Sequence, residues 1–233
     1  ASSAASDVYK RQSLHQAIDL LILKVSKPEI QSYVAVIDLK FPLFGVEITP
    51  ELKEKYLTSI FAKESSSILA INGEAGETPR LGSGFGEWIG NWISKGTPIF
   101  MMDTDKRPFL SFDNQNVARY YKAEIVDKEV TSEKYNTIWG RMDLLEEGVF
   151  QTNLSNDRQP RTIMGIDSTG TKLYLMIADG RQPGLSLGMQ YDEAAQILTA
   201  LGAYNAMACD QGGSSCMYIK KLGGIITRPA DGR

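Results

Sequence analysis

Short apolar segments that end in glycine or polar residues recur along the chain, and they constrain its fold most strongly. Residues 32–39 are rich in β-branched side chains, and residues 173–178 form an apolar run that stops at Asp179. Segments of this length and composition are typical of β-strands. We expect strands at these two segments and at nine others: 43–48, 67–71, 88–93, 98–102, 109–112, 117–130, 161–167, 203–209 and 216–220.

Three segments have the apolar spacing of helices. Residues 13–26 carry apolar side chains three and four positions apart, and residues 50–62 follow Thr49, a residue type that caps helices. Residues 191–201 have two acidic residues in the first turn and are followed by Gly202, which suits a helix end. With more strand than helix, the sequence predicts an α+β fold of mixed, mostly antiparallel β-sheets with a few packed helices.

Composition and charge exclude several classes of protein. The net charge is -3, with 25 basic and 28 acidic residues, which argues against a general nucleic-acid binder. No apolar run approaches the ~18–20 residues that a membrane-spanning helix needs. We expect residues 1–12 to be a disordered leader or a non-native scar, and residues 13–233 to form one domain, with a C-terminal truncation left open.

The two cysteines leave two alternatives open. Cys209 and Cys216 flank a short polar loop, so they suit either a bridge across a hairpin or two buried thiols. The compartment therefore does not follow from cysteine usage.

Three polar motifs follow or precede predicted strands. Asp179-Gly180-Arg181 ends one strand, where a guanidinium could bind a phosphate, or form a structural pair with the aspartate in a turn. The segment 210–215, Asp-Gln-Gly-Gly-Ser-Ser, suits either an anion-binding nest of backbone amides or a hairpin turn. Arg161 enters a strand after a proline, either as a substrate ligand or in a solvated basic turn.

The residue inventory argues against other catalytic centres. His15 is the only histidine, so no Ser-His-Asp or Cys-His arrangement and no zinc site is well supported. The diglycine segment lacks the Gly-Lys-Ser or Gly-Lys-Thr of a P-loop. A loop rich in glycine, residues 73–90, is typical of lids or of surfaces that approach a ligand closely.

The order of these motifs is more specific than any one of them. It runs Ala-Ile-Asn-Gly (70–73), Arg-Gln-Pro-Arg-Thr (158–162), Ala-Asp-Gly-Arg (178–181), the Asp-Gln-Gly-Gly-Ser-Ser loop (210–215) and Arg-Pro-Ala-Asp-Gly-Arg (228–233). This order resembles that of the phosphodiester glycosidase family, strongly from residue 161 onward and more loosely over residues 33–112. Two departures are visible: Glu74-Ala75-Gly76 stands where the family usually has Gly-Phe-Phe, and Gln211 stands where it usually has glycine.

The resemblance implies a hydrolase that cleaves a sugar 1-phosphodiester, or a related glycosidic bond, in a secreted, periplasmic or cell-surface setting. It implies Asp179 and Asp210 as the catalytic residues. The substrate-binding residues that it implies are Asn72, Arg161, Arg181, Gly212, Gly213 and Ser214.

Glycoside hydrolysis usually uses two carboxyl groups, so we expect Asp179 and Asp210 to lie close together, with one as general acid or base. No cofactor or metal is required by the sequence, although a divalent cation on either aspartate stays open. The expected partner is a carbohydrate or sugar-phosphate substrate, and the oligomeric state is undetermined. The alternatives are a non-catalytic carbohydrate-binding relative and a glycosidase of cell-wall or capsular polysaccharide.

Overall fold

The computed structural model describes residues 8–50, 57–73, 91–100, 106–123, 131–152, 154–155 and 157–232. Two helices lie within these ranges, α1 (Thr58–Glu64) and α2 (Tyr191–Ala200). The strands within them are β1 (Val8–His15), β2 (Ile18–Ser26), β3 (Glu29–Asp38), β4 (Leu69–Ile71), β5 (Trp92–Ser94), β6 (Thr97–Phe100), β7 (Phe109–Phe112), β8 (Ala118–Tyr121), β9 (Asn136–Trp139), β10 (Met142–Glu146), β11 (Val149–Phe150), β12 (Arg161–Ile166), β13 (Lys172–Ala178), β14 (Asn205–Ala208), β15 (Met217–Ile219) and β16 (Gly224–Ile225).

One large antiparallel sheet organises the described part of the chain. Its eight strands lie in the order β1-β2-β3-β13-β12-β14-β10-β11, and every neighbouring pair is antiparallel. Smaller sheets are formed by β16-β15-β4, β5-β6 and β8-β7-β9. The predicted α+β fold with mostly antiparallel sheets is confirmed.

The central strands are buried on both faces, which explains why their sequences are apolar throughout. One face carries Leu20, Leu175 and Ile177, which pack toward the small sheets. The other carries Ile163 and Met176, which pack against α2. Burial of apolar area at both faces is the main stabilising contribution to this sheet.

Helix α2 covers the second face of the sheet. Ala194, Ala195 and Leu198 form its buried side. A capping box closes its first turn, because Gln190 and Glu193 each accept a hydrogen bond from the other's backbone amide. The helix predicted at residues 191–201 is confirmed. Among the described residues, no helix is long and apolar enough to cross a membrane.

Most strand predictions are confirmed within the described ranges, including those at 32–39, 67–71, 109–112, 161–167, 173–178, 203–209 and 216–220. Strands β5, β6 and β8 lie within or beside the predictions at 88–93, 98–102 and 117–130. The remaining parts of those segments, residues 88–90, 101–102 and 124–130, lie outside the described residues. So does most of the glycine-rich loop, from residue 74 to residue 90.

The predicted helix at residues 13–26 is wrong, because this segment forms the end of β1 and all of β2. Strand β2 packs on both faces of the sheet, with Ile18 and Leu20 on one side and Leu21 on the other. Apolar residues on both faces hide the alternation of a strand and imitate helical spacing. The expected leader also needs correction, since residues 8–12 belong to β1 and pair with β2.

The predicted strand at residues 43–48 is wrong, because this segment is irregular. Its backbone oxygens accept hydrogen bonds from side chains and not from a neighbouring strand. Asn116 Nδ2 donates to Phe44 O at 2.6 Å, and Asn136 Nδ2 donates to Val46 O at 2.8 Å. The helix predicted at residues 50–62 overlaps α1, which begins at Thr58. Residues 51–56 lie outside the described residues.

Candidate functional site

Three adjacent strands bring the predicted motifs to one edge of the large sheet. Strand β13 ends just before Asp179, β12 begins at Arg161, and β14 ends two residues before Asp210. The register pairs Arg161 with Ala178 on one side, and Ile163 with Ala208 on the other. The two aspartates therefore lie on either side of the start of β12, on backbones about 10 Å apart at the usual strand spacing.

Asp179 is buried and held by three neighbours. Its Oδ1 accepts a hydrogen bond from the backbone N–H of Arg228 at 2.8 Å, and its Oδ2 accepts one from Gln31 Nε2 at 3.3 Å. Its backbone oxygen accepts a hydrogen bond from Ser186 Oγ at 2.7 Å. Only 1% of the residue is exposed. Burial raises the pKa of the Asp179 carboxyl, and the hydrogen bonds from Arg228 and Gln31 oppose this rise.

Gln31 links Asp179 to a buried tyrosine. Its Nε2 also donates to the hydroxyl of Tyr33, so one amide group connects the phenol to the carboxylate. Burial, followed by the charge of Asp179, raises the pKa of Tyr33 to about 12. The phenol therefore stays protonated at neutral pH.

Asp210 has more open surroundings. The exposed fraction of its side chain is 17%, and Arg141 Nη2 lies 3.9 Å from its Oδ1. Asn72 Nδ2 donates to the backbone oxygen of Asp210 at 3.2 Å. Asp210 is thus a partly exposed carboxylate beside a cation, in contrast to the buried Asp179.

Asn72 braces three segments of the chain. Besides its bond to Asp210, its Oδ1 accepts hydrogen bonds from Thr162 Oγ1 at 2.8 Å and from the backbone N–H of Cys216 at 3.1 Å. These contacts tie the end of β4 to β12 and to the polar loop. In this structure the Asn72 side chain is bonded to the backbone of Asp210 and Cys216 and to the hydroxyl of Thr162.

The diglycine segment forms one turn of 3-10 helix at Gly212–Ser214. Gly212 has a φ of 82°, in the left-handed region that favours glycine. The guanidinium of Arg181 lies over it, so a Cβ at Gly212 would come within 3.1 Å of Arg181 Nη1. The Gly212 amide donates to Pro160 O at 3.2 Å, so this amide of the predicted nest has a partner within the protein.

Arg161 is held inside the protein. Its Nε donates to Met189 O at 3.0 Å, its Nη1 donates to Gln211 Oε1, and its Nη2 donates to Asp157 O at 2.5 Å. The guanidinium also lies 3.7 Å from the centre of the Tyr191 ring. Only 1% of the residue is exposed, so Arg161 connects the segments of Met189, Gln211 and Asp157 from inside the protein.

Arg181 is exposed, unlike Arg161. Its Nε donates to Gln159 Oε1 at 2.8 Å, which directs the rest of the guanidinium over Gly212. Its φ of 58° places it in the left-handed region, which turns the chain sharply after β13. The predicted cation is therefore at the diglycine segment and accessible to a ligand.

A cavity of about 640 Å³ adjoins this edge of the sheet. Four of the predicted site residues line it: Asn72, Asp210, Gly213 and Ser214. The other four predicted residues, Asp179, Arg161, Arg181 and Gly212, are not among its described lining residues. The structure thus brings all eight to one edge of the sheet and gives only half of them a place on the cavity wall.

Sequence reasoning missed Gln31, Arg141 and Tyr191. Gln31 is a polar interruption in the apolar strand β3, and Arg141 follows Gly140 and immediately precedes β10, as Arg181 follows Gly180. The signals at Gln31 and Arg141 are visible in the sequence, but the sheet register is needed to bring them beside the motifs. Tyr191 begins α2 and reaches the site through Gln211 and Arg161.

Both cysteines are buried free thiols, so the structure favours the second of the two alternatives. Cys216 Sγ lies 3.0 Å from Thr58 Oγ1, and burial raises the pKa of the Cys216 thiol. Among the described residues, no group of three or more His, Cys, Asp or Glu side chains is arranged to hold a metal ion.

Solved structures show which known proteins share this fold, and a sequence model identifies the family. The catalytic domain of zebrafish N-acetylglucosamine-1-phosphodiester alpha-N-acetylglucosaminidase, auto-inhibited by its pro-peptide, superposes with a TM-score of 0.69 at 19% identity, covering 97% of this chain and 81% of that chain. A hypothetical protein from Synechocystis superposes with a TM-score of 0.64 at 13% identity, covering 97% of this chain and 62% of that one.

A presumed exported protein from Burkholderia pseudomallei K96243 superposes with a TM-score of 0.60 at 13% identity, covering 87% of this chain and 71% of that chain. A search of curated protein sequences gives no match. The sequence model of the phosphodiester glycosidase family matches residues 66–233. Because this match spans more than half of the chain, the protein belongs to the phosphodiester glycosidase family.

Proposed function

We propose that this protein is a hydrolase that cleaves a sugar 1-phosphodiester, or a related glycosidic bond, on a glycan or glycoconjugate. Membership of the family supports a glycosidase-type hydrolase acting on a carbohydrate. The observation that carries the proposal is Asp210, a carboxylate on the cavity wall with Arg141 3.9 Å away. A partly exposed carboxylate next to a cation suits a reaction in which a sugar carbon is attacked and an anion departs.

Asp210 acts on the substrate directly in this proposal. Its carboxylate takes a proton from a water molecule whose oxygen attacks the anomeric carbon of the sugar. The bond from that carbon to the phosphate oxygen breaks, and its electron pair stays on the phosphate. The products are the free sugar and a phosphomonoester. A phosphate departs readily, so no proton donor is needed for the leaving group.

Two exposed cations stabilise the departing phosphate. Arg141 lies beside Asp210, and Arg181 lies over Gly212 in the adjoining turn. Guanidinium groups bind phosphate oxygens through paired, charge-assisted hydrogen bonds, which strengthen as charge develops on the leaving group. Ser214, on the cavity wall, is placed to orient a sugar hydroxyl.

Asp179 has a positioning role in this proposal. Its carboxyl accepts the backbone N–H of Arg228, and the next residue, Pro229, lines the cavity. Asp179 thus fixes part of the cavity wall. The raised pKa also suits a proton donor, which is the role in the two-carboxylate hypothesis, so a pH profile must separate the two roles.

The test is hydrolysis of a panel of sugar 1-phosphodiesters by the wild-type protein and by Asp210→Asn, each with and without EDTA. We expect the variant to lose activity by about 100-fold or more, the usual effect of removing a general base. Asp38→Asn, at an exposed position in β3, is the matched control and should retain activity. The EDTA arm tests our expectation that no divalent cation is required. Full activity in Asp210→Asn would end the proposal.

A non-catalytic carbohydrate-binding protein is the second candidate, and one observation favours it. Gln211, which stands where the family usually has glycine, accepts a hydrogen bond from Arg161, so this guanidinium is engaged by Gln211, Met189 and Asp157 within the protein. Binding of sugar phosphodiesters without turnover, in a protein shown to be folded, would support this candidate. Turnover of cell-wall or capsular polymers alone would support a polysaccharide glycosidase.

We also propose that the protein works outside the cytoplasm, in a secreted, periplasmic or cell-surface setting. The presumed export of the Burkholderia protein of the same fold supports this. Fractionation of cells that express the native gene tests it, and recovery only from the cytoplasm would contradict it.

A further inference from the structure

The cavity beside Asp210 extends deep between the large sheet and the layer that covers it. Its floor includes Leu173 and Leu175 of β13, and its roof includes Phe112 of β7 and Trp139 of β9. At about 640 Å³ it has the size of sites that enclose a small ligand. Most of its described lining residues are apolar. The cavity offers more apolar wall than a sugar or a phosphate would need.

Charge is distributed unevenly along the cavity. Glu47 and Asp210 are the charged side chains among its described lining residues, and neither lysine nor arginine is among them. Glu47 is paired with Lys95 at 2.5 Å. The cations that could hold a phosphate lie just outside the cavity, with Arg141 beside Asp210 and Arg181 over Gly212. A phosphate is therefore favoured at the Asp210 end and disfavoured in the interior.

Several polar groups in the cavity wall already have partners within the protein. Ser65 Oγ donates to Phe61 O at 2.7 Å, and Asn116 Nδ2 donates to Phe44 O at 2.6 Å. Groups that are satisfied in this way do not require a polar ligand. The interior is thus suited to an uncharged apolar chain.

We propose that the cavity holds the apolar chain of an amphiphilic substrate, so that the group esterified to the sugar phosphate is a long aliphatic alcohol. The sugar and the phosphate lie at the end formed by Asp210 and Ser214, with Arg141 beside Asp210, and the chain lies along Leu173 and Leu175. This inference rests on the proposed function and names the substrate class for the same site. The product that departs after hydrolysis is an alkyl phosphate.

The test uses alkyl phosphates as product analogues. Isothermal titration of the wild-type protein with inorganic phosphate and with butyl, hexyl, octyl and decyl phosphate, below their micelle concentrations, gives affinity as a function of chain length. Burying one methylene contributes about 0.8 kcal/mol, which corresponds to about fourfold tighter binding for each added carbon. We expect such a rise across the series until the cavity is filled. An affinity that does not change with chain length would overturn the inference.

A pair of matched variants locates the chain. Leu69→Trp in β4 adds bulk to the cavity wall, whereas Leu222→Trp makes the same change at a residue that is 41% exposed and not among the lining residues. We expect Leu69→Trp to weaken decyl phosphate at least tenfold and to leave inorganic phosphate unchanged. Leu222→Trp should match the wild type. Equal decyl phosphate affinity in both variants, with circular dichroism showing that both are folded, would place the chain elsewhere.

The same measurements keep this inference separate from the proposed function. Hydrolysis of short-chain sugar phosphodiesters with affinity independent of chain length would overturn the apolar substrate and leave the hydrolase standing. Chain-length dependence that Leu69→Trp removes, with no hydrolysis of any sugar phosphodiester, would support the apolar site and overturn the hydrolase.

Discussion

Asp179 and Asp210 follow β13 and β14, two strands that run in the same direction on either side of β12, but their surroundings differ. Asp179 is 1% exposed and accepts hydrogen bonds from Arg228 and Gln31. The Asp210 side chain is 17% exposed and lines the cavity. A group must reach the substrate to act on it, and of these two carboxylates Asp210 is the one on the described cavity wall.

The raised pKa of Asp179 predicts how its removal changes stability with pH. Burial lifts the folded-state pKa above the ordinary value of 3.8, so the carboxyl stabilises the fold below that value and loses this contribution as pH rises through the folded pKa. Asparagine cannot titrate. The stability penalty of Asp179→Asn should therefore shrink from pH 3 to pH 8, as measured by urea unfolding at a series of pH values.

Two outcomes would count against the assigned role of Asp179. A penalty that stays constant or grows with pH would contradict the raised pKa. Loss of the basic limb of the pH profile of kcat/KM in Asp179→Asn would make this residue the proton donor, in place of a positioning residue. A uniform fall in kcat/KM at all pH values is expected for a change in cavity shape.

Arg141 is expected to bind the phosphate, because it is the cation beside the carboxylate of Asp210. A charge-assisted hydrogen bond contributes about 1.5–3 kcal/mol, so Arg141→Ala should lower kcat/KM for sugar phosphodiesters by about 10- to 150-fold. Arg141→Lys should recover part of this loss. Arg11→Ala, at an exposed pair on β1, is the control. An equal loss on uncharged aryl glycosides would argue against phosphate recognition.

At the scale of strands and helices, local sequence patterns predict elements well where one rule applies. Residues 191–201 show both apolar spacing and acidic residues in the first turn, and α2 follows them closely. Residues 13–26 obey two patterns at once, since Leu20 and Leu21 pack on opposite faces of β2. Spacing alone cannot distinguish a doubly buried strand from a helix, so that prediction failed.

The site was predictable only in part for a related reason. Asp179, Asp210 and Asn72 end apolar strands and are visible as motifs. Gln31 and Arg141 come close to them because strands that are far apart in sequence pair in the sheet: β3 pairs with β13, and β10 pairs with β14. Such long-range pairing has no local signature in a single sequence.

Gly180 allows two loops to approach each other at this edge of the sheet. A Cβ there would come within 2.7 Å of the Pro160 backbone nitrogen and within 2.8 Å of Gly188 Cα. Backbone on both sides cannot move aside cheaply, so Gly180→Ala should destabilise the protein by about 1–3 kcal/mol. Chemical unfolding measures this change. Gly45→Ala is the control, since a Cβ at Gly45 meets nothing within 4 Å, and equal stability of the two variants would contradict the packing argument.

At the scale of the whole molecule, the large sheet is a rigid support for the residues at its strand ends, because apolar clusters cover both of its faces. One cluster lies under the small sheets and contains Leu175, and the other lies under α2 and contains Met176. Successive residues of one strand thus anchor it to opposite layers. A support of this kind can hold Asp210, Arg161 and Asp179 at fixed spacing, as a catalytic site requires.

Ile163 tests how strongly the α2 face contributes to this support. It is fully buried in β12, two residues after Arg161, and packs in the cluster beneath α2. Ile163→Ala removes buried methyl and methylene groups and leaves a cavity, so it should lower the free energy of unfolding by about 2–5 kcal/mol. Ile60→Ala on α1, where the side chain is 43% exposed, should change it by less than about 0.5 kcal/mol. Urea unfolding of both variants measures the difference. A small effect at Ile163 would mean that the strand ends are held by the polar contacts of Arg161 and Asn72, with little help from the core beneath α2.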